Sequence, residues 1–424
     1  MTPITRRTFL ASTAAASAAF MGPKVLRAQP HAVIQASYPT SKFDGPMGEA
    51  ATLYESKHGI RIDFRRPVPG SHGEHLKQTL RWSITNNLPD VSFQGNHHVR
   101  HLVRSNLAQP LDTLASNDPD WAGVQPTGAA AQIGRINDQL FGIPFQISVP
   151  ILMINEQLAV EAGADPKALP QDWPGLLALA RKISSLDHRP IGGFFDFGAA
   201  WTFQALITAQ GAQMATPDER EIAFNGAAGL AALEIVRGFG EAGMVDMTQT
   251  QAMQAFGAGT IGVFATSNNE LANLERIAAG RFRIATMPWP MPSADGRLPA
   301  GGRTGVVFAT DPERQRLGWD FIRFMASPEV QAIVVKATGA VPVDPAAMHK
   351  AGLLDAFYAE HANHQAGMAR ADRLTGWYSY PGENSAKIMD LMVDYVRSVA
   401  TLQVSPEAAL RTIANDVEKL LAKP

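Results

Sequence analysis

The sequence predicts an α/β protein divided into two lobes, on three observations. The chain has 424 residues, more than one ordinary hydrophobic core accommodates. From Ala32 onward, short apolar runs of strand length alternate with stretches whose apolar residues recur every three or four positions. That order builds a parallel sheet covered by helices. Three helix starts carry a polar cap followed by Pro-Glu, at Asp311-Pro312-Glu313, Ser327-Pro328-Glu329 and Ser405-Pro406-Glu407.

The elements follow in order. Residues 32–36 read as a short buried strand, 37–44 as a loop, and a helix runs through Met47, Ala50, Leu53 and Tyr54. Residues 60–64 alternate apolar and charged, as a half-buried strand does. The helix at 74–86 sets Leu76, Leu80 and Ile84 four apart on one face. Asn87-Leu88-Pro89-Asp90 is a turn before a strand at 91–93. Residues 139–144 lead into a strand at 149–154 and a helix bearing Leu158 and Ala162. Asp172 caps a helix with Pro174 in its first turn. The helix after Asp311 carries Leu317, Phe321 and Phe324, and the last helix carries Ala409, Ile413, Val417 and Leu420. Strand 261–265 follows a helix-like stretch at Ala252, Met253 and Phe256. There is no internal repeat.

Residues 1–28 read as a cleaved export signal. Arg6 and Arg7 are its positive start, residues 9–20 a mildly apolar run, and Leu26-Arg27-Ala28 the cleavage site. The run is too short to span a bilayer, which takes ~20 residues. Arg-Arg followed by Thr-Phe-Leu resembles the twin-arginine signal, whose route exports folded proteins. An ordinary secretory signal gives the same destination, the periplasm. Removing the signal's four basic residues from the 37 Lys+Arg leaves 33 against 39 acids, a net of −6. That argues against a nucleic-acid partner, which needs a basic face. The chain has no cysteine, which excludes disulfides, a thiol nucleophile and a lipid-bearing cysteine.

Four stretches, in the same order, resemble the family 1 extracellular solute-binding proteins of ABC importers, the group of maltose- and glycerol-3-phosphate-binding proteins. They are residues 142–150 leading to Ile154-Asn155-Glu156, Ala162-Gly163 and Leu169-Pro170-Gln171-Asp172-Trp173; residues 254–263; Gly301-Gly302 before residues 319–329; and residues 336–343. The resemblance implies the two-lobed periplasmic-binding-protein fold of type II, with a hinge. It implies an N-lobe of 31–142 plus 300–342 and a C-lobe of 143–299 plus 343–424. The chain then crosses near Gly142-Ile143-Pro144, Pro299-Ala300 and Val343-Asp344. It also implies a monomer that does no chemistry, uses no cofactor or metal, and closes on a small solute before docking on the permease's transmembrane subunits.

Ligands of open α/β sheets lie beyond the carboxyl ends of strands. On that rule and the resemblance, the candidate ligand residues are Tyr38, His72 (with Ser71 beside it), Asn96, Gln146, Ser148, Trp201, Ser267, Asn268, Gly302, Arg303 and Tyr378. Aromatic faces suit sugar stacking, and amides and charges suit hydroxyls. By position, His72, Asn96, Ser148, Trp201, Ser267 and Gly302 match the ligand contacts of the glycerol-3-phosphate subgroup. Two departures count against that ligand: Ala340 stands where the subgroup has an aromatic, and Trp377-Tyr378-Ser379-Tyr380 replaces a basic run. The expected ligand is a carbohydrate or polyol, with a glycerol phosphate second.

Other readings carry less. Residues 257–262 fit G-x-G-x-x-G, but a helix precedes and a strand follows, the reverse of a dinucleotide site. His72, His75, His97, His98 and His101 cluster, and His97 and His101 have metal-ligand spacing, but nothing completes a set. An exported polysaccharide-degrading enzyme is the alternative function, although no nucleophile elbow or acid/base pair stands out. A structural or metal-delivery protein is third.

Overall fold

The computed structural model describes residues 32–67, 72–344 and 352–421. The expected signal at 1–28 and Ser71 lie outside the described residues. Strands β1 (Val33–Ser37), β2 (Arg61–Phe64) and β3 (Val91–Gly95) are followed by a two-stranded hairpin, β4 (Arg135–Ile136) and β5 (Gln139–Leu140). Then come β6 (Gly142–Ser148), β7 (Pro150–Asn155), β8 (Ile191–Phe195), β9 (Ile261–Ser267), β10 (Ile284–Pro288), β11 (Leu298–Val307) and β12 (Leu374–Gly376).

Two mixed sheets result. The first runs β2-β1-β3-β11-β6, with β1 parallel to β2 and β3, and β11 antiparallel to β3 and β6. The second runs β10-β7-β9-β8, with β7 antiparallel to β9 and β10, and β8 parallel to β9. Strand β11 serves both ends of the molecule: Leu298–Ala300 pairs with β12, and Gly301–Val307 fills the middle of the first sheet.

The carboxyl ends of β1, β3 and β6 and the Gly301 end of β11 share one edge of the first sheet. The ends of β8 and β9 and the start of β7 share the facing edge of the second. The chain passes between sheets at Val149, at Ala300-Gly301, and after Val341, which bridges to Ile147. Residues 143–148, assigned from the sequence to the C-lobe, belong to β6, which pairs with β11 in the first sheet.

Helices cover both sheets. Those expected after Asp311, Ser327 and Ser405 begin at Pro312, Pro328 and Pro406, although Ser327 makes no capping hydrogen bond, and the helix expected at 74–86 spans His72–Ile84. Asp172 accepts the Gly175 N–H at 2.9 Å, and Asp311 accepts that of Arg314 at 3.0 Å. Trp173 packs into the core against Trp289, with ring centroids 4.9 Å apart. Residues 257–262 stand between the helix Gln249–Gly257 and β9, in the helix-then-strand order expected. No helix among the described residues is long and apolar enough to cross a membrane.

Candidate functional site

The edge where the sheets face each other collects most of the candidate residues, and the structure divides them into two groups. In the first group, polar side chains are bound within the protein. Asn96 donates to the carbonyls of Ala300 (3.1 Å) and Gly301 (2.8 Å) and accepts from Thr304 Oγ1 (2.8 Å). It therefore holds β11 where that strand leaves the first sheet. Gln146 donates to Asn269 (3.0 Å) and accepts from Arg303 (2.7 Å). Asn268 accepts the Val149 N–H (2.9 Å) and donates to the Gly339 carbonyl (2.7 Å), clamping two crossings together. Ser267 accepts from Asn269 N–H at 3.1 Å. Tyr38 donates to Asp44 at 2.6 Å and packs edge-on against Phe64. Gly302 has φ +109° and backs directly onto the Gln146 carbonyl.

The second group faces the space between the lobes. Trp201 begins the helix Trp201–Thr208 and donates to the Pro299 carbonyl at 3.0 Å. It is aimed by Ala199 (φ 50°) and Ala200 (φ 51°), two consecutive alanines in the left-handed region. Each such residue costs about 1–2 kcal/mol, and backbone strain of this kind collects at functional sites. Beside Gly301, a Cβ would meet Ser148 Oγ at 2.7 Å and the Trp201 ring at 2.8 Å. Trp377, from the segment after β12, lies 6.0 Å from Trp201, 3.6 Å from His97 and 6.0 Å from His72 by ring centroid. A cavity of about 260 Å³ opens alongside, lined by Asn96, His97, Arg100, Arg135, Trp377 and Tyr378 among others. An outer groove of about 310 Å³ continues past Arg100 to His101, Arg104 and Glu383.

The electrostatics of this junction are unusual for a protein interior. His72, His75, His97 and His98 pack together, and burial pushes each imidazole down: His75 to about 4, His98 to about 3, His72 and His97 well below the ordinary 6.5. Arg303 is buried over the Phe43 ring, 3.9 Å from its centroid. Burial draws its guanidinium down to about 9 while Glu270 draws it up, so it stays charged at neutral pH. The Nδ1 atoms of all four histidines, Arg303 Nε and Trp377 Nε1 are buried without a hydrogen-bond partner. Each such atom costs about 1–3 kcal/mol. His101 instead lines the outer groove, so His97 and His101 do not share a face. Among the described residues no three His, Asp or Glu side chains gather as a metal site.

Two ion pairs that no sequence pattern signals join the two sheets' ends. Lys42 meets Glu270 at 2.6 Å. Arg100 binds Glu219 through both guanidinium nitrogens, one at 2.6 Å, and Tyr378 donates to the same carboxylate at 3.1 Å. The hydrogen bond from Arg100 holds the Glu219 carboxyl below its ordinary value of 4.5, against the effect of burial. The contact is therefore fully present above that value and lost as pH falls through the depressed one. Acidifying from about pH 5 to about pH 3 is expected to raise the radius of gyration in small-angle scattering. Glu219→Gln is expected to flatten this step; an unchanged step in the variant rules out the latch.

Comparison with known proteins agrees with this geometry. The sn-glycerol-3-phosphate-binding periplasmic protein UgpB of Yersinia pseudotuberculosis is 22% identical over 250 residues, 55% of either chain. The match thus spans about half the length of that relative. Among solved structures, UgpB from Mycobacterium tuberculosis in complex with glycerophosphocholine superposes with a TM-score of 0.78 at 17% identity, covering 92% of this chain and 98% of that one. The cyclic alpha-maltosyl-1,6-maltose binding protein from Arthrobacter globiformis gives 0.76 at 18%, covering 93% and 100%. These likenesses show the fold, the two-lobed type II architecture. The profile of the family described as bacterial extracellular solute-binding protein matches residues 49–365, three quarters of the sequence, and the chain belongs to that family.

Proposed function

We propose that this protein is the solute-capturing subunit of an ABC importer, working in the periplasm on a carbohydrate, polyol or glycerol-phosphate-type solute. The carrying observation is the junction itself: aromatic rings and unpartnered buried donors placed where two sheets face each other across three chain crossings. A solute that satisfies those donors stabilises the joined lobes and shifts the open–closed equilibrium. The pairing of β6 with β11 supports lobes of 32–148 plus 301–342 and of 150–299 plus 352–421. The protein acts as a monomer and delivers its solute to the permease's transmembrane subunits.

It performs no reaction on that solute. The carboxylates Asp44, Glu219 and Glu270 are engaged by Tyr38, Arg100 and Lys42.

Calorimetry of the mature protein against sugars, polyols and glycerol phosphates tests the reading. One class is expected to bind at a 1:1 ratio with a Kd of about 10 μM or tighter. Binding of none, or turnover of a polysaccharide by the purified protein, overturns it.

A further inference from the structure

We propose that the second lobe carries a site of its own for a small aliphatic amine, whose ammonium group donates to the Asp196 carboxylate inside a cavity behind the turn that aims Trp201. The site is independent of which solute the lobes capture.

The cavity measures about 460 Å³. Its walls come from three places: the end of β8 with the turn after it, the start of the helix Gln249–Gly257, and the helix Ser385–Ala400. All belong to the second lobe. Among the described residues, neither Trp201 nor any residue of the first lobe lines it. It is therefore separate from the junction between the lobes.

Asp196 is the buried carboxylate of this cavity. Its Oδ1 accepts the Gly198 N–H at 3.1 Å, and its Oδ2 accepts from Gln249 at 2.6 Å and from Thr266 at 2.9 Å. These three donors are neutral. A carboxylate has about four acceptor positions, so one remains, on Oδ1. Gly198 shows that the space in front of it is open. A methyl group on Gly198 would lie 3.2 Å from Oδ1 and, apart from its chain neighbours, within 4 Å of nothing else. Gly198 itself lines the cavity.

Charge decides what suits this position. Buried carboxylates are ordinarily paired with a cation. Burial raises the Asp196 carboxyl and the negative charge of Glu270 adds to that, while the three hydrogen bonds oppose both. Arg397 lines the cavity but is engaged elsewhere. Its guanidinium lies over the Phe197 ring, 5.3 Å from the centroid, with Asp246 at 3.7 Å and Asp394 at 3.9 Å. A metal ion fits poorly, because no three His, Asp or Glu side chains gather among the described residues. The wall beside the carboxylate is apolar, with Phe194, Phe197, Met247 and Val393. The two phenylalanine rings stand 6.3 Å apart and 36° from parallel. An aliphatic ammonium matches both parts. Its N–H makes a charge-assisted bond to Oδ1, its alkyl chain covers the apolar wall, and its charge is favoured near aromatic faces.

The test is calorimetric titration at pH 7 and constant ionic strength with n-butylamine, tetramethylammonium and 1-butanol. n-Butylamine is an ammonium ion at that pH, since alkylamines ionise near about 10. It is expected to bind at a 1:1 ratio. The other two are expected to bind at least about tenfold more weakly, one lacking the N–H and the other the charge. Gly198→Ala fills the space before Oδ1, and the Gly198 φ lies outside the left-handed region, so alanine takes up the same backbone. It is expected to weaken n-butylamine at least about tenfold. Asp196→Asn is expected to do the same, with thermal unfolding of both variants reporting that they fold. Gly198→Ala decides alone if Asp196→Asn does not fold. Absence of n-butylamine binding overturns the site. So does tetramethylammonium or 1-butanol binding as tightly as n-butylamine, or n-butylamine binding that survives Gly198→Ala unchanged.

Discussion

Gly302→Ala is expected to destabilise the protein by about 4 kcal/mol or more, at the severe end for a single substitution. The residue sits in β11 at φ +109°, and an added Cβ would lie 2.0 Å from the Gln146 carbonyl oxygen and 2.9 Å from its carbon. Both obstacles are backbone, in the neighbouring strand, and no rotamer change relieves them. The strands must separate where Gly302 pairs with Ile147 and Arg303 with Gln146. That separation also pulls the Arg303 guanidinium from Gln146, so a buried charge loses its hydrogen bond. Gly48→Ala is the matched control. It lies in the helix Asp44–His58 with nothing within 4 Å of the new methyl, and a gain of about 0.5–1 kcal/mol is expected. Denaturant unfolding of the two variants checks both signs. Equal midpoints for Gly302→Ala and the parent protein refute the clash.

Asn268→Ala is expected to cost about 3 kcal/mol and to loosen the hinge. One amide side chain accepts from Val149 N–H and donates to the Gly339 carbonyl, while its own N–H bonds the Val149 carbonyl. Alanine leaves a buried donor and a buried acceptor unpaired, each at about 1–3 kcal/mol. Ser267→Ala, beside it, removes one bond to the Asn269 N–H and is expected to cost under about 1 kcal/mol. Scattering should show a wider spread of lobe separations in Asn268→Ala than in Ser267→Ala. Matching profiles for the two count against the clamp.

Much of the fold was legible because its signals are local. The caps at Asp172 and Asp311, the stripe Ala409-Ile413-Val417-Leu420 and the alternation at 60–64 depend on residues within one turn or one pleat. The stripe Leu76-Leu80-Ile84 misled: that helix buries His75 and Thr79, and Ile84 is exposed. Strand β6 was missed for an equally local reason. Pro144 reads as a strand breaker, yet it pairs with Thr304 at the point where the β6–β11 register shifts between Arg303 and Thr304. A bulge is one of the few places in a sheet that tolerates a residue without an N–H. All seven residues of β6 are buried, Gln146 and Ser148 among them, so its apolar pattern is broken by polar residues that the fold encloses. At the site, the sequence could not tell which polar groups the protein uses itself. Asn96, Gln146 and Asn268 look like sugar-binding amides by type, and their partners lie 71 to 208 positions away. The Lys42–Glu270 and Arg100–Glu219 pairs span 228 and 119 positions, and no pattern in the sequence links them.

The shared strand β11 also bears on how the protein is made. The first sheet has a slot between β3 and β6 that only residues 301–307 fill. β6 ends at Ser148, so roughly 150 further residues must be synthesised before the slot can close, a wait of about 8–30 s at ordinary translation rates. Throughout it, two strand edges stand unpaired and able to recruit strands from other chains. The same long-range pairing that lets one strand serve both lobes makes the nascent first lobe the most aggregation-exposed stage in the life of this chain.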